Sequence, residues 1–141
     1  MSRQFTKRST LPAADRAKYS LRLTKLAAYL RTLPNSRYDH SDFVREINDC
    51  GPVACAFGHA VASGIFPDIN MKYYVSPFGK VDLVAVDAKE GWTTIDYAND
   101  YFGDGSYDDA FSSYAFPSGT SVSRSHVIKR LETLANHRYA P

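Results

Sequence analysis

Few residues of this 141-residue chain are suited to covalent or metal chemistry: two cysteines, four histidines and a single glutamine, Gln4. Two cysteines five positions apart, Cys50 and Cys55, are too few for the disulfide framework of a small secreted scaffold. The expectation is a reducing compartment and free thiols. Also missing is any apolar run of the ~18 residues that a membrane span needs. The basic start, Met1-Ser2-Arg3-Gln4-Phe5-Thr6-Lys7-Arg8, is not followed by the apolar core of an export signal. Together these absences predict a cytoplasmic protein with no membrane partner. There are no internal repeats and no low-complexity tract.

What is present is the composition of an ordinary globular domain, 44% hydrophobic and 23% charged. Its length suffices to bury a core without staples. Aromatic residues are abundant, with ten Tyr and eight Phe. The net charge of +2 conceals an asymmetry. Residues 1–40 hold nine Lys/Arg against Asp15 and Asp39, whereas residues 41–100 hold four against nine acids. A basic segment can be a nucleic-acid footprint. Here the positive residues are spread along a helix, which equally suits docking on the acidic remainder.

Residues 1–10 read as a flexible polar lead, and 11–141 as one globular domain. From Ala13 to Leu33, Tyr19, Leu23, Leu26, Leu30 and Leu33 recur at four- and three-residue steps, the stripe of an amphipathic helix that Pro34-Asn35-Ser36 ends. Ser41 or Asp39 is placed to cap a short helix through Phe43, Val44 and Ile47. Gly51-Pro52 signals the start of another, closing near Ser63-Gly64. Residues 71–75 and 81–86 flank Pro77-Phe78-Gly79-Lys80 as a hairpin. Trp92–Tyr97 reads either as a third strand or as the lead into a helix ending near Phe102-Gly103. Asp108–Tyr114 suits a short helix, and Ser123 or Ser125 can cap a last one carrying Val127, Ile128, Leu131, Leu134 and Ala135. The predicted fold is α+β, mainly helical, with a small antiparallel sheet of two or three strands within residues 71–97.

Chemistry concentrates in Asp49-Cys50-Gly51-Pro52-Val53-Ala54-Cys55-Ala56-Phe57-Gly58-His59-Ala60. A cysteine just before a helix start gains thiolate character from the helix dipole, so Cys50 is the candidate nucleophile, with His59 or His40 as base. Cys55 and His59, four apart, suit two ligands on one metal ion, with Cys50 and His40 completing the set. Papain-like peptidases place their cysteine at such a helix start. They also use an upstream glutamine and a histidine opening a downstream strand, yet the one glutamine here is Gln4 and residues 71–97 contain no histidine. The bland alternative makes Cys55 a small core residue. Gly58 then admits a close neighbour, and His59 bonds a backbone carbonyl. That alternative is favoured, and no cofactor is expected. The acids Asp96, Asp100, Asp104, Asp108 and Asp109 lack calcium-loop spacing and read as a solvated acidic turn.

The same segment resembles the Cys-Gly-Thr-x-x-Cys-x-x-Gly-His/Trp-Ala signature of an uncharacterised family of small proteins from bacteria and their phages. The likeness continues through the Leu-rich helix at Leu21–Leu33, Tyr101-Phe102-Gly103, Ala115-Phe116-Pro117 and the closing helix Val127–Ala135, about residues 20–136. The chain departs from the signature at Pro52, where the pattern has Thr, so a hydroxyl is lost. The resemblance implies a small intracellular protein encoded by a phage or prophage, with no activity or cofactor attached.

Three functions follow, in order. The first is a non-enzymatic modulator that binds a host or phage protein through exposed rings at Tyr97, Tyr101, Phe102, Tyr107, Phe111, Tyr114 and Phe116. The second is a cysteine enzyme or zinc protein at Cys50, Cys55, His59 and His40. The third is nucleic-acid binding through Arg16, Lys18, Arg22 and Lys25.

Overall fold

The leucine stripe forms α1 (Ala13–Arg31), with Leu23, Leu26, Ala27 and Leu30 buried along one face. Leu33, past its end, is buried as well. In this computed structural model the described residues are 7–41, 43–48, 51–112, 115–116 and 121–141.

The helix expected through Phe43 and Ile47 is a strand instead. Asp39 accepts from the Ser41 backbone N–H at 3.1 Å and from its hydroxyl at 2.6 Å, so it closes a local turn and caps nothing. The chain then extends as β1 (Val44–Asn48), antiparallel to β2 (Gly51–Ala54), with a bulge between Val44 and Glu46. The helix expected from Pro52 is likewise displaced. Pro52 sits opposite Ile47 in a two-stranded sheet, where an outer edge tolerates a missing N–H. Helix α2 (Ala56–Ala62) begins four residues later with Cys55 as its N-cap, and Gly64 follows its end at φ 79°.

The hairpin forms where expected, β3 (Met71–Val75) against β4 (Val81–Ala85). Trp92–Tyr97 resolves as the lead into α3 (Thr94–Phe102). Thr93 and Asp96 form a reciprocal capping box at its start, and Gly103 ends it at φ 114°. A side chain at Gly103 would strike the Tyr139 hydroxyl. Residues Tyr107–Phe111 make one π-helical turn. Ser123 caps α4 (Arg124–Thr133), which continues as a π-helical turn through Arg138. The fold is therefore α+β, with two separate two-stranded antiparallel sheets.

The core lies where α1, α2, α3 and α4 meet. At its centre Phe57 packs edge-on to Phe43, Phe102 and Phe111, and Phe66 packs on Tyr101 and Phe102. Such ring pairs contribute about 0.5–1.5 kcal/mol each beyond the area they bury. Among the described residues no helix is long and apolar enough to cross a membrane.

Candidate functional site

Two regions compete as the site: the Arg37–His59 polar cluster and the β3–β4 hairpin surface.

The first gathers the described members of the cysteine–histidine segment. Because α2 starts at Ala56, the residue at the helix N-terminus is Cys55; Cys50 lies outside the described residues. Cys55 is nearly buried, its Sγ 3.9 Å from the Phe43 carbonyl oxygen. The N–H groups of Phe57 and Gly58 favour the thiolate, yet burial outweighs them and pushes the thiol up to about 11. A neutral buried thiol is a packing group, since the thiolate is the reactive form.

His59 is fully buried. Its Nε2–H donates to the Arg37 carbonyl at 2.7 Å, and its Nδ1 has no hydrogen-bond partner among the described residues. Burial holds its pKa below the usual histidine range. Gly58 admits the neighbouring backbone: a Cβ there would run into the Phe43 carbonyl oxygen. Cys55 is thus a core residue, Gly58 lies against a neighbouring backbone, and His59 bonds a backbone carbonyl. Arg37, which sequence reasoning missed, ties the segment together. Its carbonyl holds His59, its Nε donates to Pro52 O at 3.1 Å, and its guanidinium lies against Gly51.

His40 stands apart from this pair. Its Nδ1 lies 2.9 Å from the Tyr38 hydroxyl, and its ring meets Phe116 edge-on. Burial lowers its pKa too. Among the described residues, no three of His, Cys, Asp and Glu form a group that could hold a metal ion.

Of the basic residues of α1, Arg16 and Arg22 reach other parts of the fold, and Lys18 and Lys25 are exposed. Arg16 donates to the Ala140 and Leu11 carbonyls, and Lys18 lies 3.9 Å from Asp15. Arg22 stacks 3.8 Å over the Tyr101 ring and donates to the Tyr101 carbonyl at 2.7 Å, while Lys25 lies over Phe66. Between α1 and α3 a cavity of about 230 Å³ is lined by Lys18, Arg22, Asp68, Asp100, Tyr97 and Tyr101, among others. Within it the Tyr101 hydroxyl donates to Asp68 at 2.6 Å, and Tyr97 accepts from the Lys89 N–H beside it at 2.8 Å.

The expected ring face at 97–116 is corrected by the same burial pattern. Tyr97, Tyr101, Phe102 and Phe111 are core residues, and Tyr107 and Phe116 are half-buried against the core. Tyr114 lies outside the described residues. The positions 97, 98, 101 and 102 share one face of α3, a helical period that marks burial once a helix is assigned there.

The exposed apolar side chains are elsewhere. Seven of the ten large ones among the described residues lie in 73–95: Tyr73, Tyr74, Val75, Phe78, Val86, Trp92 and Ile95. Phe78, in the hairpin turn, is 97% exposed. The signal for this was in the sequence, because a Phe inside a Pro-Phe-Gly turn has nothing beneath it to cover its ring. The same stretch, 72–90, carries three lysines, Lys72, Lys80 and Lys89, and three acids, Asp82, Asp87 and Glu90, so its charges balance.

Comparison with family models, with curated proteins and with solved structures finds no match to this chain.

Proposed function

We propose that this protein works without catalysis, by binding another protein through the apolar surface of the β3–β4 hairpin and the segment that follows it. The observation that carries this reading is Phe78, a large ring almost wholly in water at the tip of a hairpin whose neighbours Tyr74 and Val86 are also exposed. Leaving such rings in water forgoes about 1.5–3 kcal/mol each, which a partner's pocket would recover. The buried, protonated thiol of Cys55 and the internally bonded His59 support a binding role over a catalytic one. The carbonyl bonds of Arg16 and Arg22 weigh against a nucleic-acid role for these two. The likeness of the segment from Cys50 to Ala60 to small bacterial and phage proteins adds the setting: a cytoplasmic modulator whose partner is a host or phage protein.

The test is affinity capture from bacterial lysate with the wild-type chain and with Phe78→Asp plus Val86→Asp. Both positions are exposed, so the double variant keeps its melting temperature. A partner retained by the wild type and lost by the variant supports the reading. Equal retention by both places the contact elsewhere and removes the hairpin from it.

A further inference from the structure

We infer that the cavity between α1 and α3 binds a small zwitterion, a free α-amino acid, whose carboxylate sits on Arg22 and Lys18 and whose ammonium sits on Asp100. The inference stands apart from the partner proposed above, because none of these residues belongs to the hairpin surface.

Two helix faces build the cavity. Positions 18 and 22 lie one turn apart on α1, as positions 97 and 101 do on α3. The first helix contributes Lys18, Tyr19 and Arg22 to the lining, and the second Tyr97, Asp100 and Tyr101. These walls are held from behind. Asn70, also in the lining, spends its amide on Asp87, donating to the carbonyl at 3.0 Å and accepting from the N–H at 2.8 Å. The Tyr97 hydroxyl accepts from the Lys89 N–H, and that of Tyr101 donates to Asp68. Walls fixed in this way need little ordering when a ligand enters.

The charged groups, by contrast, have capacity to spare. A guanidinium carries five N–H donors. Arg22 commits one to the Tyr101 carbonyl at 2.7 Å and another, at 3.5 Å, reaches Asp68, while stacking on the Tyr101 ring fixes its plane. A planar guanidinium with free donors is a preferred seat for a carboxylate. Lys18, one turn earlier, lies 3.9 Å from Asp15 and over the ring of its neighbour Tyr19. Asp100 is exposed and has no hydrogen bond or ion pair among the described residues.

The balance of these charges selects the ligand. Lys18 and Arg22 offset Asp68 and Asp100, so the lining is neutral with both signs present. An anion alone would meet two carboxylates, and a cation alone two basic groups. A dipolar molecule is attracted at both ends and escapes either repulsion. Size points the same way. The cavity, about 230 Å³, is smaller than the roughly 300–1,000 Å³ of sites for drug-sized ligands. That leaves room for a molecule of amino-acid size.

Titration of the full chain with each standard L-amino acid up to about 10 mM, followed by amide chemical shifts, tests the site. The expected result is saturable binding of at least one of them, with a Kd of roughly 1 mM or tighter and with shifts gathered at residues 18–22 and 97–101. Its amide, which lacks the carboxylate, and its deaminated acid, which lacks the ammonium, each bind at least about tenfold more weakly. Asp100→Asn and Lys18→Gln lie at exposed positions, so both keep the melting temperature of the free protein. Each weakens binding about tenfold or more. The bound amino acid raises the melting temperature of the wild type, and at the same concentration raises that of Asp100→Asn less. Phe78→Asp binds it as the wild type does. Saturation by none of the amino acids, equal binding of the amide or of the deaminated acid, or full affinity in Asp100→Asn overturns the inference.

Discussion

His59 carries a proton balance that can be read in a pH titration. Its Nε2–H is committed to the Arg37 carbonyl, so protonation adds a donor at Nδ1, where no acceptor waits among the described residues. Its folded pKa lies below its unfolded value, so the unfolded chain takes up the proton first. Stability is complete above about pH 6.5 and falls as the pH drops through that value, at no more than about 1.4 kcal/mol per pH unit for this one group. His40, also depressed, adds in the same direction. Replacing His59 by Gln, which keeps a donor and cannot titrate, flattens the slope of denaturation midpoint against pH between 7 and 5. Beside it, Gly58→Ala forces a methyl into the Phe43 carbonyl. The expected loss is about 3 kcal/mol or more in urea denaturation, because the obstacle is backbone that cannot step aside. Cys55 stays unlabelled by iodoacetamide in the native protein and reacts on unfolding, in line with a thiol near 11. These roles of Gly58 and His59 were legible in the sequence as a small residue and a polar residue on a helix of alanines. Arg37 was not, because its carbonyl does the holding and no side-chain pattern marks a carbonyl.

At the scale of elements, the helices with a long periodic stripe were legible and the segment 41–55 was not. Ser41, Asp39 and Pro52 are each a recognised helix-start signal, and each found another use: a local turn for Asp39 and Ser41, an edge strand for Pro52. What decided the matter was pairing between residues 44–48 and 51–54, together with the parallel bridge of Tyr38 to Ala54. Contacts of that kind override local propensity and leave no periodic trace in so short a run. The rings of 97–116 were misplaced for a related reason. A tyrosine-rich stretch between aspartates reads as surface until α3 is recognised, and then Tyr97, Ala98, Tyr101 and Phe102 fall on its inner side. The prediction at this scale is that Phe102→Ala costs about 3–5 kcal/mol in chemical denaturation, as for other buried aromatic rings. Asp96→Ala removes half of the capping box of α3 and costs about 1 kcal/mol.

For the whole molecule, among the described residues, part of the basic charge of α1 is paired across the fold, and a set of apolar side chains is left in water. The basic helix reaches across the fold: Arg22 to Tyr101 and Asp68, Arg31 to Glu132, Arg16 to the last residues of the chain. Seven of the ten large apolar side chains left in water among the described residues lie on the hairpin and on residues 86–95. A protein-binding role is the account's central claim, and the most direct measurement is the affinity of the captured partner for the purified wild-type chain and for Phe78→Asp. The account predicts at least a tenfold weakening, about 1.4 kcal/mol, with an unchanged melting temperature. Equal affinity for the two proteins would contradict it.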